Sequence, residues 1–304
     1  MPQPTITVAG ATGDLGSRIT RSLVARGATV RALVRNDAGP EALQEVRELG
    51  AEPVVHDATD LWSTAEACRG TDCVVSALNG LRDVIVDRQS VLLDAAVAAG
   101  VPRFIPSDYS GDFTTTPPGD NRNLDLRREF MGRADRAPIQ VTSILNGAFM
   151  DMLGAEMPII QRRIRRVLYW QSADQLLDFT TKDDVADFTA EAALDPTTPR
   201  VLQVAGDTLS VRDLAGVLSR TTGERYRPLP VGTIRTLGLM ISAIRTIAPE
   251  HGAVFPAWQG MQYTRDMFSG RVRLGSLDND RYPDLRFTSV EDKFSRAASA
   301  AAAH

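Results

Sequence analysis

Lysine is nearly absent from this chain of 304 residues, which has 34 basic side chains but only two lysines, Lys182 and Lys293. The positive charge is therefore carried almost entirely by arginine, and the net charge at pH 7 is −4. No basic stripe stands out from this background, so the sequence does not predict nucleic acid as a direct partner. Arginine stays protonated at any working pH, so few side chains remain for proton transfer by a basic group.

Cysteine and histidine are also scarce. The two cysteines, Cys68 and Cys73, lie on either side of a predicted helix-to-strand turn, and His56 is the only histidine nearby. A disulfide and a metal site are the alternatives at this spacing, although a metal needs more ligands. We expect two reduced thiols in or near the core and no bound metal.

The sequence offers no apolar run that would serve as a membrane span. The apolar stretch Ile234–Ile247 is interrupted by Arg235 and Arg245, and its apolar residues recur at helical spacing. The first predicted strand follows Met1 closely, with no visible signal peptide between them. These features predict an amphipathic helix, no membrane partner and a cytoplasmic location.

The first half of the chain alternates predicted strands and helices at a regular interval. This pattern is typical of an α/β fold with a doubly wound parallel sheet and right-handed crossovers. The predicted strands are residues 5–9, 29–34, 53–55, 73–77, 103–105 and 140–145, and the predicted helices are residues 15–26, 40–49, 61–68, 83–99 and 122–136. We expect residues 1–150 to form the sheet domain. Residues 151–304 are expected to form a smaller, mostly helical lobe, partly interleaved with the sheet domain.

The first predicted strand leads directly into three glycines at three-residue spacing, and a helix follows them. Glycine permits the tight turn and the close approach to a pyrophosphate, while the helix N-terminus offers free N–H groups and partial positive charge. The Thr12 hydroxyl can add a further hydrogen bond to the phosphates. The residues predicted to form this loop are Gly10, Thr12, Gly13, Asp14, Leu15 and Gly16.

The end of the second predicted strand indicates which dinucleotide binds. Arg35 stands nineteen residues after Gly16, where a NAD-specific fold tends to place an acid for the ribose hydroxyls. A cation at this position favours the additional 2′-phosphate of NADP. Arg35 and its neighbour Asn36 therefore predict NADP(H) as the cofactor, with an ordinary surface charge as the alternative interpretation of Arg35.

Segments after the other strands lie at the same edge of a parallel sheet, where such folds bind their ligands. The remaining cofactor-binding residues predicted in this way are Asp57 and Ala58 beside the adenine, Ser76, Ala77 and Leu78 under the adenine ribose, and Ser107, Asp108, Asn146, Gly147, Ala148 and Phe149 around the nicotinamide. Two of them have an alternative interpretation: Asp57 could instead cap the next helix, and Phe149 could serve only in packing.

Four segments resemble the NmrA-like, isoflavone-reductase-like branch of the atypical short-chain dehydrogenase/reductase superfamily. They are GATGDLG (residues 10–16), LVR (33–35), AAVAAGVPRFIPSDY (95–109) and NGAF (146–149). The resemblance implies an extended Rossmann fold that binds NADP(H), with the substrate over the nicotinamide beneath the C-terminal lobe. Some members of this branch reduce aromatic or enone substrates, whereas others bind NADP without catalysis and act as redox-sensing regulators.

The usual proton donors of this superfamily are missing. None of the five tyrosines is followed four residues later by a lysine, so the Tyr-x-x-x-Lys pair is absent. The resemblance also implies a lysine on the helix after the Pro-Ser-Asp-Tyr segment, but that helix carries Arg127 and Arg128 instead. Tyr109 is the best-placed candidate for polarising a carbonyl, with core packing as the alternative. Arg127 or Arg128 could hold an anionic substrate, with a solvated helix face or a phosphate contact as the alternative.

Two functions follow from these residues. We predict an NADP(H)-dependent oxidoreductase that reduces a small quinone, enone or aromatic substrate by hydride transfer. A quinone needs little acid help, because its ring already stabilises the product oxyanion. The alternative is a non-catalytic NADP(H) redox sensor that acts through a protein partner and binds the two cofactor redox states with different free energies. A protein partner or a homodimer stays open in either case.

Overall fold

A parallel sheet of six strands lies at the centre of the computed structural model, which describes residues 3–153, 157–250 and 252–302. Its strands are β1 (Thr5–Ala9), β2 (Thr29–Arg35), β3 (Glu52–His56), β4 (Cys73–Ser76), β5 (Arg103–Ile105) and β6 (Gln140–Val141). They lie in the order β3-β2-β1-β4-β5-β6, and every neighbouring pair is parallel. The strand order reverses between β1 and β4, where a fold of this kind binds its ligand.

Helices cover both faces of this sheet. They are α1 (Asp14–Ala25), α2 (Pro40–Glu48), α3 (Leu61–Ala67), α4 (Gln89–Ala98) and α5 (Arg122–Ala134), with a π-helical segment at Asp83–Arg88 before α4. One apolar core lies between the sheet and α1 with α2, and a second lies between the sheet and α3, α4 and α5. The arrangement confirms the predicted doubly wound α/β fold.

Residues after the sixth strand form a mixture of short strands and helices, so the expected mostly helical lobe also contains small sheets. The strands are β7 (Ser143–Leu145), β8 (Ala148–Phe149), β9 (Ile160–Gln161), β10 (Arg166–Trp170), β11 (Leu177–Thr180), β12 (Val201–Gln203), β13 (Asp207–Leu209) and β14 (Arg227–Gly232). The helices are α6 (Lys182–Leu194), α7 (Val211–Thr222), α8 (Ile234–Ile247), α9 (Ala257–Phe268) and α10 (Val290–Ala302). None of the helices in the described ranges is long and apolar enough to cross a membrane.

One helix of the second half packs directly on the first half. Helix α6 lies against α1, where the Ser22 hydroxyl donates to Asp187 Oδ1 at 2.6 Å and Arg26 Nε donates to Glu191 Oε1 at 2.8 Å. Strand β12 pairs with β7 in parallel. The chain therefore returns to the sheet domain after residue 180.

Both cysteines are free and buried. Burial raises the pKa of the Cys68 thiol and of the Cys73 thiol to about 12. The disulfide alternative is therefore wrong for this structure, and both thiols are core side chains.

Candidate functional site

The loop between β1 and α1 has a shape that requires glycine at two positions. Gly10 has a φ of +83°, and a Cβ there would lie 2.8 Å from the carbonyl oxygen of Ala77. A Cβ on Gly16 would lie 2.0 Å from the carbonyl oxygen of Gly10. Both distances are shorter than real Cβ contacts, so the loop can approach β4 and α1 this closely only with glycine at these positions.

The N-terminus of α1 offers backbone donors to an anion. Gly13 is the N-cap, and no side chain within the described ranges caps this end of the helix. Thr12, Gly13 and Asp14 are exposed, so the first turn faces the outside of the protein. Because the first N–H groups of a helix lack partners within the helix, an exposed and uncapped first turn fits a diphosphate.

Arg35 is the last residue of β2, and its side chain is about half exposed. Its Nε lies 3.4 Å from Asp37 Oδ1, and the exposed fractions of these side chains are 54% and 67%. Ion pairs as exposed as this one are weak. The Arg35 guanidinium can therefore exchange Asp37 for a phosphate at little cost.

Asp57 does not cap the helix that follows it, so that alternative is wrong. Its Oδ1 accepts hydrogen bonds from the backbone N–H and the hydroxyl of Thr59, at 2.9 and 2.7 Å. The cap of α3 is Asp60, whose Oδ1 accepts from the N–H of Ser63 at 2.6 Å. Asp57 and Ala58 are partly exposed at the end of β3, on the edge of the sheet where the adenine was predicted.

A buried glutamine joins the ends of β4 and β5. Gln89 Oε1 accepts from the Ser76 hydroxyl at 2.6 Å and from the backbone N–H of Ser107 at 2.9 Å. The Ser107 hydroxyl donates to the carbonyl of Leu78 at 2.6 Å. Ser76 and Ser107 thus hold this edge of the site together, and Ala77 is partly exposed there. Sequence reasoning missed Gln89, whose only signal is an uncharged polar residue within an apolar helix.

The segment that was predicted to flank the nicotinamide divides into a buried and an accessible part. Asn146 and Gly147 are buried, and their N–H groups donate to the carbonyl of Ser110 at 2.8 and 3.2 Å. Ala148 and Phe149 are partly exposed in β8. Lys182 Nζ lies 5.9 Å from the centroid of the Phe149 ring. Sequence reasoning missed Lys182, although the scarcity of lysine is a signal that could have pointed to it.

Tyr109 and Asp108 lie in the interior of the protein. Tyr109 is 6% exposed, belongs to the core on the α1 side of the sheet, and has its hydroxyl group beside the side chain of Thr189. This position does not fit the role predicted for Tyr109 in polarising a carbonyl. Asp108 accepts a hydrogen bond from the Ser143 hydroxyl at 2.6 Å, and burial raises its pKa to about 6.

The two adjacent arginines of α5 do not form a solvated helix face. Arg127 is 9% exposed, and its Nη1 donates to the carbonyl of Asn123 at 3.1 Å. Its Nε has no hydrogen-bond partner among the described residues. Arg128 donates to the carbonyls of Phe113 and Thr116, each at 2.6 Å, and thereby fixes the loop between β5 and α5. Arg128 therefore has a structural role. Arg127 is buried, and its Nε–H group remains without an acceptor among the described residues.

The described part of the chain contains no group of three or more His, Cys, Asp and Glu side chains arranged to hold a metal ion. The geometry instead combines an uncapped helix N-terminus, a glycine loop and an exposed arginine at the neighbouring strand end. These features fit a phosphorylated dinucleotide lying across the switch point of the sheet.

Comparison with known proteins agrees with this geometry. The model of the NmrA-like family matches residues 2–241. Pinoresinol reductase 1 of Arabidopsis thaliana is 24% identical over an alignment 308 positions long. The alignment covers 94% of this chain and 95% of the relative.

Two solved structures have the same fold as this chain. AtPrR2 with NADP+ and (+)pinoresinol has a TM-score of 0.81 at 21% identity, over 97% of this chain and 99% of that one. An NADPH-dependent quinone oxidoreductase from Escherichia coli has a TM-score of 0.72 at 18% identity, over 96% of this chain and 99% of that one. Because the family model covers most of the sequence, the chain belongs to the NmrA-like family.

Proposed function

We propose that the protein is an NADPH-dependent oxidoreductase that transfers hydride to a small quinone, enone or aromatic substrate. The observation that carries the proposal is the glycine loop before α1, followed by Arg35 at the end of β2. Relatives and structural neighbours include a pinoresinol reductase and an NADPH-dependent quinone oxidoreductase, which supports this substrate range.

The side chains and backbone of this chain would bind and orient the dinucleotide. N–H groups of the first turn of α1 would hold the diphosphate, and Arg35 would hold the 2′-phosphate. The nicotinamide would be bordered by Ser107, which follows β5, and by Phe149, the last residue of β8. The bound cofactor supplies the hydride, so the protein contributes orientation and exclusion of water more than acid–base chemistry.

A quinone fits this site better than a substrate that needs a strong proton donor. The Tyr109 hydroxyl is buried, and burial raises its pKa. Arg127 carries a permanent charge that can stabilise an oxyanion but gives up its proton poorly. Reduction of a quinone produces an oxyanion that the ring stabilises, and its proton can come from water.

The test measures loss of reduced-nicotinamide absorbance with NADPH and a panel of quinones, enones and aromatic ethers. Gly13→Val is the matched control, because a Cβ on Gly13 meets only the Gly10 carbonyl at 3.3 Å, whereas Gly10 and Gly16 allow less space. The variant should fold and yet fill the diphosphate cradle. We expect turnover of at least one acceptor by the natural chain and none by the variant. Absence of turnover despite tight NADPH binding would contradict the reductase.

A specific observation keeps the sensor as a second candidate. Tyr109, which the sequence predicted to polarise a carbonyl, and Arg127, which it predicted to hold an anionic substrate, are both buried. A sensor must bind NADPH and NADP+ with different free energies, because a ligand shifts an equilibrium only by its differential affinity. Titration with each cofactor checks this: about tenfold or larger discrimination without turnover would favour the sensor, and equal affinities would argue against it.

A further inference from the structure

One of the two lysines of the chain lies at the glycine loop. Lys182 is the first residue of α6, and its Nζ donates to Asp14 Oδ2 at 2.6 Å. Asp14 directly follows Gly13 and opens α1, so this carboxylate stands beside the exposed first turn. The same Nζ lies 5.9 Å from the centroid of the Phe149 ring. Lys182 is therefore located between the segments proposed for the diphosphate and for the nicotinamide.

The backbone of Lys182 is held by hydrogen bonds, while its side chain is partly exposed. Its N–H donates to Asp151 Oδ2 at 2.8 Å, and Thr181 caps α6 by accepting from the N–H of Asp184 at 3.0 Å. The Lys182 side chain is 22% exposed. A lysine side chain has a flexible stem of four carbons and three N–H donors on its ammonium group. Its Nζ can therefore move by several ångströms while the helix stays in place.

Asp14 has a second cationic partner. Arg18 Nε donates to Asp14 Oδ1 at 2.8 Å, across one turn of α1. The hydrogen bonds from Lys182 and Arg18 lower the pKa of Asp14, which keeps this carboxylate charged at neutral pH. Arg18 can therefore hold Asp14 when Lys182 is engaged elsewhere.

A carboxylate beside the first turn of α1 opposes the binding of a diphosphate, because like charges at short range repel. A cation that pairs with the carboxylate in the free protein and with the phosphate in the complex removes this conflict. We propose that Lys182 exchanges Asp14 for a phosphate oxygen of the dinucleotide and is a cofactor-positioning residue. This inference rests on the proposed function, since it requires NADPH at the glycine loop.

The first experiment is a double-mutant cycle of NADPH affinity, measured by titration calorimetry with the natural chain, Lys182→Met, Asp14→Asn and the double variant. We expect Lys182→Met to raise the Kd about tenfold, which corresponds to about 1.4 kcal/mol. Asp14→Asn should leave the Kd equal or lower, because it removes a like charge. In the Asp14→Asn background the loss of Lys182 should still cost about tenfold.

Lys293 provides the matched control. It is the only other lysine of the chain, and its Nζ also pairs with a carboxylate, Asp151 Oδ1, at 2.8 Å. Lys293→Met should leave the Kd for NADPH within about twofold of the natural value, because the contact that its ammonium makes in the described part of the chain is with Asp151 and not with the glycine loop. If Lys182→Met costs nothing in the Asp14→Asn background, Lys182 only neutralises Asp14, and the proposal is overturned.

Amine labelling of the natural chain tests the same point without any substitution. Acetylation of Lys182 should slow several-fold when NADPH is added, while acetylation of Lys293 should not change. An unchanged rate at Lys182 under saturating NADPH would overturn the proposal. If the natural chain does not bind NADPH, the proposed function fails as well. If NADPH binds and supports turnover but Lys182→Met binds it equally well, only the role of Lys182 is refuted.

Discussion

Arg35 is the side chain on which the choice between NADPH and NADH would depend. Among the described residues, the weak ion pair with Asp37 is the one contact that its exposed guanidinium would give up. We expect Arg35→Ala to raise the Kd for NADPH about tenfold or more, because a charge-assisted bond to the 2′-phosphate is lost. The Kd for NADH should change by less than about twofold, since NADH has no phosphate at this position. Titration with both cofactors checks the expectation, and equal weakening of both would show that Arg35 does not contact the 2′-phosphate.

Asp108 should make the stability of the protein depend on pH. Burial raises its pKa from 3.8 to about 6, against the opposing effects of the Ser143 hydrogen bond and of Arg127 and Arg200. Between these two pKa values the folded protein binds more protons than the unfolded chain. The free energy of unfolding therefore falls as pH rises through this interval, by at most about 3 kcal/mol.

Asp108→Asn removes this titration while keeping an oxygen that can accept from Ser143. The variant should therefore be more stable than the natural chain at pH 7 and differ little from it at pH 4. Urea unfolding of both proteins at these two pH values measures the effect. A difference that is the same at both values would mean that the Asp108 carboxyl is not shifted upward.

Single residues also mark where sequence reasoning fails. The tight glycine turn and the place of Arg35 at the end of β2 could be predicted, because both depend on neighbours within one strand–loop–helix unit. Their roles in binding the cofactor stay predictions. The sequence predicts Tyr109 in the site because this residue follows a strand. Beyond the end of a strand, however, the path of the loop decides which side of the sheet a side chain faces, and that path cannot be read from the residue pattern. Lys182 was missed because its partner Asp14 is 168 positions away in the chain.

Among the elements, the predicted strand at 140–145 shows the same limit. The structure divides it at Thr142 into β6, which pairs with β5, and β7, which pairs with β12. The residue pattern of a strand reports which side chains are buried, but it does not report which distant segment pairs with it. The other strands of the first half end within one residue of the predicted positions, because glycines and apolar runs mark their ends locally.

One buried arginine binds three carbonyls at the C-terminus of helix α6. Arg103 of β5 is buried, and it donates to the carbonyls of Ala192 at 3.0 Å, Asp195 at 2.5 Å and Ala193. These carbonyls lie at the end of the helix, where partners within the helix are missing.

Replacement of this arginine should therefore destabilise the docking of α6 on the sheet. We expect Arg103→Met to lower the free energy of unfolding by about 3 kcal/mol, because buried carbonyls lose a charged donor. Arg69→Met is the control, since the Arg69–Glu66 pair is about 70% exposed on both sides and should contribute less than about 1 kcal/mol. Similar losses for the two variants in urea unfolding would show that the contacts of Arg103 contribute no more than a surface pair.

For the whole molecule, cofactor binding should appear as added thermal stability. A ligand that binds only the folded state at 100 times its Kd stabilises that state by about 2.7 kcal/mol. NADPH should therefore raise the unfolding temperature of the natural chain by several degrees, and NADH at the same concentration should raise it less. Gly13→Val should unfold at the same temperature with and without NADPH. A thermal shift in that variant equal to the natural one would place the dinucleotide away from the glycine loop.

The two buried cysteines have a practical consequence for studies of motion in this protein. With a pKa of about 12, each thiol is almost fully protonated at neutral pH, and the reactive thiolate is scarce. The natural chain should therefore resist maleimide reagents without any substitution of Cys68 or Cys73. A cysteine introduced at Met240, which is 50% exposed on α8, would then be the one position that accepts a fluorophore or a spin label. A label at this position would report changes in the surroundings of α8 as cofactor and substrate are added.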